Sequence, residues 1–161
     1  MNNKGFTLVE LLATISLLAV LTMIAVPNII GIVNRNKNKT YVEDAKKLVS
    51  LAEYKIRTNP ELKPSNDGES QCLYMSTLGK SDFDTTAPNG GKYDENLSYV
   101  KVQMISNGDS WSLKYSVFLV EEKAKNSYVG ILKETSSDNL YKDNISSLIS
   151  SSTNQQIPKC N

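Results

Sequence analysis

Lys4-Gly5-Phe6-Thr7-Leu8-Val9-Glu10 leads into a run from Leu11 to Val33 in which no side chain is charged. At about 1.5 Å per residue, a helix of that length spans the roughly 30 Å hydrocarbon core of a bilayer. Glu10 sits in this apolar block, and a bare carboxylate in hydrocarbon is costly enough to require a partner or a function. The rest of the chain is read as something attached to this helix.

Working outward, Asn34 to Lys39 (NRNKNK) alternates polar and basic residues. It is short, has no interleaved aromatics and follows the span directly, as a solvated juxtamembrane turn of helix does. From Thr40 to Thr58, Tyr41, Ala45, Leu48, Ala52 and Ile56 recur at three- and four-residue steps with Val49 alongside, which predicts an amphipathic continuation of the same helix. Asn59-Pro60 stops it. Pro27 lacks the amide hydrogen that would bond the carbonyl of Met23, so a kink is expected there, with Gly31 close by.

Residues 60–96 are rich in turn formers, including Pro64-Ser65-Asn66-Asp67-Gly68 and Pro88-Asn89-Gly90-Gly91, and read as a long irregular region. Asp82 and Asp84 within it are assigned to turn chemistry rather than to a metal. Strands are expected at 97–105 and 111–120, joined through Asn107-Gly108, and at 127–133 after a charged turn, EEKAKN. Trp111, Leu113, Tyr115, Val117 and Leu119 alternate with polar residues, so one sheet face is apolar and needs the amphipathic helix as its cover. The tail from Thr135 carries a short helix candidate at 139–149. The expected class is α+β: one long N-terminal helix on an antiparallel sheet of three or four strands.

Composition narrows the chemistry. The 161 residues contain 18 Lys and Arg against 17 Asp and Glu, a balance that provides no field for capturing nucleic acid. There is no histidine, which removes the commonest general base and the commonest zinc ligand. No nucleophile with a base, phosphate loop or metal cluster is visible, so neither an enzyme nor a cofactor is expected. Cys72 and Cys160 are far apart and form no CxxC motif; in an exported domain they would pair, the alternative being two free thiols.

An apolar block this long, with no small-residue cleavage site at its end, fits a removable secretory signal poorly. Lys-Gly-Phe-Thr-Leu-Val-Glu-Leu-Leu, followed by an apolar helix with a proline near its far end, resembles the class III signal of type IV pilins and pseudopilins, of a Gram-positive-like kind. The resemblance covers about the first 30 residues. It implies a leader of residues 1–5, removed by a prepilin peptidase that cuts between Gly5 and Phe6 and methylates the new Phe6 amine. Residues 6–33 would form the membrane-spanning and filament-core helix, and 34–161 a pilin head that includes the amphipathic segment 34–58.

The resemblance further implies that Glu10 pairs with the Phe6 amine of a neighbouring subunit, an intrasubunit bond being the competing reading. It implies a curve in the helix near Pro27, and a cytoplasmic N-terminus that the basic residues Arg35, Lys37 and Lys39 do not independently support. Cys160 near the end is similar in placement to the C-terminal disulfide of many pilins, although Cys72 precedes the sheet. Asp138, Asn139, Asp143 and Asn144 match the calcium loop of some pseudopilins in type, but caps and solvated loops are the simpler reading.

The function implied is a subunit of a type IV pilus for surface adhesion or motility. It would be a single-pass membrane protein first and part of an extracellular filament later, with other pilins, an assembly platform and its ATPase as partners. The alternatives are a pseudopilin of a type II secretion or DNA-uptake system, which shares every N-terminal feature, and an anchored domain that never polymerises.

Overall fold

The computed structural model describes residues 6–79, 82–124, 127–141, 148–153 and 160, with the side chains at 27, 28 and 153 outside the description. Helix α1 runs from Leu8 to Thr58 and continues through Pro27. The chain divides between Asn36 and Lys37 into two compact units. In the first, the helix is apolar all round: an 18-residue stretch has a mean hydropathy of 2.3 with none of it buried. Length and composition make it the one candidate membrane span among the described residues.

The second unit is α+β. Within it α1 is one-sided, with Tyr41, Val42, Ala45, Leu48, Val49, Ala52 and Ile56 buried at the expected helical spacing. After a short 3-10 turn at Pro60–Leu62 come β1 (Ser70–Tyr74), a single-turn helix α2 (Met75–Leu78), β2 (Tyr99–Ser106), β3 (Trp111–Ala124) and β4 (Ser127–Ser136). A 3-10 turn, Ser137–Tyr141, and β5 (Ser150–Thr153) follow. The strands form one antiparallel sheet in the order β1-β2-β3-β4-β5.

Four expectations need correction. The sheet has five strands rather than three or four, because β1 and β5 are only 5 and 4 residues long, too short to carry an alternating apolar signal. The region 60–96 is not wholly irregular: it holds β1, α2 and the bridges Thr86↔Lys92 and Tyr93↔Glu121. Four residues of the supposed charged turn, Glu121 to Ala124, belong to β3, where pairing with β4 satisfies their backbone. The helix expected at 139–149 is a 3-10 turn ending at Tyr141, Leu148 and Ile149 are not helical, and 142–147 lie outside the described residues.

Both sheet faces bury apolar side chains. On the helix side, Val100, Val102, Val117, Leu119, Val129 and Ile131 pack with the buried face of α1. On the other, Tyr99, Phe118 and Val120 form a second cluster with Tyr74, Leu97, Tyr128, Leu132 and Cys160 around it. The Tyr99 and Phe118 rings stack at 5.3 Å. The disulfide Cys72–Cys160, with Cα atoms 6.1 Å apart, attaches Cys160 to the edge strand β1 beside this second cluster.

Candidate functional site

Two regions combine polar chemistry with definite geometry. The first is the start of α1. A helix leaves its first four N–H groups without intrahelical partners, and a Thr-x-x-Glu sequence supplies two of the missing acceptors reciprocally. Thr7 Oγ1 accepts from the Glu10 N–H at 3.3 Å, and Glu10 Oε2 accepts from the Thr7 N–H at 2.9 Å and from its hydroxyl at 2.8 Å. Glu10 is therefore not bare in the single subunit: it closes a capping box. The Thr-x-x-Glu spacing of Thr7-Leu8-Val9-Glu10 is the sequence signal for this box, separate from the charge of Glu10.

Phe6 is 80% exposed and lies one residue before the capping box. Gly5 lies outside the described residues. Among the described residues, Glu10 accepts from the amide and the hydroxyl of Thr7, neither of which is a cation. The apolar residues that follow, Leu8 to Val33, are exposed throughout where described, presenting a continuous hydrocarbon-like surface.

The second region lies in the head, where β3, α1 and the Pro88-Asn89-Gly90-Gly91 turn meet. Strand alternation that points Val117 and Leu119 toward the helix also points Glu121 inward, and it is 2% exposed. Its Oε2 accepts from the Tyr41 hydroxyl, and from Asn89 Nδ2 at 3.2 Å; its Oε1 accepts from the Gly91 N–H at 3.1 Å. Asn89 Nδ2 also donates to the Tyr41 oxygen at 2.8 Å, while Asn89 Oδ1 accepts from Lys37 Nζ at 3.2 Å. Lys37 and Tyr41 are four residues apart on α1 and so share a face. A Cβ on Gly91 would fall 2.5 Å from Glu121 Oε1, so a larger residue there would displace the carboxylate.

A neighbouring pair extends the network. Tyr93 donates to buried Asp44 at 2.9 Å, Asp44 also accepts from Lys47 at 3.0 Å, and the Tyr41 and Tyr93 rings meet edge-on at 5.8 Å. Burial raises the Tyr41 hydroxyl well above its ordinary pKa, reinforced by its hydrogen bond to the Glu121 carboxylate. Burial does the same for Tyr93, with the Asp44 charge adding to it. Both phenols remain donors over the whole neutral range. An open cavity of about 480 Å³ adjoins the cluster, lined by Lys37, Asn89, Gly90, Gly91, Glu121, Glu122 and Lys123.

The other residues singled out in the sequence are dispersed. Asp82 pairs with Lys55 at 3.0 Å, whereas Asp84 accepts the Thr86 N–H at 2.9 Å, a local turn bond that lowers its pKa. Asp138 and Asn139 lie in the 3-10 turn, and Asp143 and Asn144 fall outside the described residues. Lys37, Asn89 and Glu121 were not foreseen as a group. The inward parity of Glu121 was available from the Trp111-to-Leu119 alternation, but the approach of Asn89 depends on how a long turn-rich segment closes.

Residues 1–26 match the family model of the prokaryotic N-terminal methylation motif, which supports a type IV pilin-like prepilin. No curated protein and no solved structure matches the chain.

Proposed function

We propose that this type IV pilin-like precursor is a structural subunit of a type IV pilus. It is cut after Gly5, methylated at the Phe6 amine and polymerised through the apolar part of α1. The observation that carries the reading is the methylation motif over residues 1–26 on a helix whose apolar surface is exposed on every side. Such a surface is stable in two settings, lipid before assembly and a bundle of like helices after it.

The amine created at Phe6 offers Glu10 a cationic partner. Packed helices that place the two together neutralise each other's charge, and a misplaced subunit leaves a carboxylate unpaired in an apolar core. The described geometry supports this order of events, since before cleavage Glu10 caps its own helix through Thr7. Pro27 gives the helix the curve that lets it pack in a filament.

Electron microscopy of cells producing the full chain, with antibody against the head, tests the proposal. Long surface filaments carrying the label are expected. Label confined to the membrane, or to stubs that never extend beyond the envelope, would instead place the chain in a secretion or DNA-uptake machine.

A further inference from the structure

The Lys37, Asn89 and Glu121 arrangement has the parts of an amide-exchange reaction. A primary amine faces the carbonyl end of a carboxamide, with Lys37 Nζ 3.2 Å from Asn89 Oδ1. The nitrogen that would have to leave, Asn89 Nδ2, faces the opposite way, 3.2 Å from a carboxylate oxygen of buried Glu121 and 2.8 Å from the Tyr41 hydroxyl. Nucleophile and proton carrier thus flank the same amide, held by three separate elements of the head. Nothing in the pilus reading calls for that placement.

We propose that Lys37 and Asn89 become joined by an intramolecular isopeptide bond, with Glu121 as the catalytic residue. Lys37 passes a proton to Glu121 through the cavity that both side chains line, and the freed lone pair on Nζ attacks Cγ of Asn89. Glu121 returns the proton to Nδ2, the Cγ–Nδ2 bond breaks, and the second Nζ proton leaves with the departing nitrogen. Lysine ammonium and carboxamide become a secondary amide and ammonium, with no oxidant, reductant or co-reactant consumed. Proximity supplies most of what such a reaction needs, because a held amine and carbonyl react as one molecule. The open cavity beside the three residues gives the ammonium an exit.

The surrounding residues fit the chemistry. Gly91 brings its N–H to Glu121 Oε1 and leaves no room for a Cβ, which fixes the carboxylate. Pro88 at the turn and Gly90, with φ at 92°, present Asn89 to the helix. The bond would close a covalent ring over a sequence separation of 52, complementing the disulfide, which closes one over 88. A subunit so tied resists pulling α1 away from the sheet.

Peptide mapping by mass spectrometry of the purified full chain tests this. Trypsin should not cleave after Lys37, and the Lys37 and Asn89 peptides should appear as one species lighter than their sum by ammonia, about 17 Da. Intact mass alone does not decide, because Asn89-Gly90 also loses ammonia on succinimide closure. That product leaves the two peptides separate, an outcome that overturns the proposal, as does their recovery at calculated masses. Lys37→Arg and Glu121→Gln should each abolish the joined species; its persistence in folded Glu121→Gln would overturn the role given to Glu121. Should Glu121→Gln fail to fold, the wild-type map and Lys37→Arg still decide whether the bond forms.

Discussion

At the scale of single residues, two carboxylates with opposite surroundings carry the account. Glu10 lies on an exposed apolar helix and is held by the amide and hydroxyl of Thr7, whereas Glu121 is buried and hydrogen-bonded through both of its oxygens. The capping box separates two roles for Glu10 that a charge-only reading merges. Glutamine at the same position keeps a capping box but cannot neutralise an amine. Glu10→Gln should therefore be cleaved and methylated normally yet yield no filaments, as should Glu10→Ala; both are scored by immunoblot for processing and by microscopy for assembly. Normal filaments from Glu10→Gln would mean that capping, not charge pairing, is what the residue provides.

At the scale of elements, the long helix and the β2–β3 hairpin were legible because their signals are periodic. An uncharged run sets the first half of α1, a three-and-four spacing sets the second, and Asn107-Gly108 between alternating strands sets the turn. Ser150-Ser151-Ser152-Thr153 shows why β5 was not: its pairing with β4 runs through backbone groups, which the sequence of its side chains does not reveal. Gly130 was equally silent. It sits in β4 with φ at 142°, and a Cβ there would lie 2.2 Å from the Leu119 carbonyl oxygen, beside the irregular pairing of Val117 and Leu119. Gly130→Ala must therefore move backbone in the centre of the sheet. It should destabilise the head by about 3 kcal/mol or more, seen as a lowered thermal midpoint of the full chain in detergent.

At the scale of the whole molecule, burial of tyrosines makes the head sensitive to base rather than to the neutral range. Tyr41, Tyr93 and Tyr99 all have their ionisation pushed above the ordinary value of 10.0, chiefly by burial. Their folded pKa is raised, so below pH 10 this contribution to stability is fully present. Above it the unfolded chain ionises first, and stability falls as pH rises. Alkaline titration should show the buried tyrosines forming tyrosinate together with the loss of near-UV circular dichroism, not before it. The head's chemistry was the least legible part of the sequence. Lys37, Asn89 and Glu121 come from three distant segments, and only the folded turn brings them together.

Whether the first residues become an assembly device on processing is read at the N-terminus of the mature protein. Mass spectrometry of the N-terminal peptide from cell-surface material reads it directly. The expected chain begins at Phe6 and carries one methyl group on its amine. A mature chain that retains Met1, or begins anywhere other than Phe6, would contradict it.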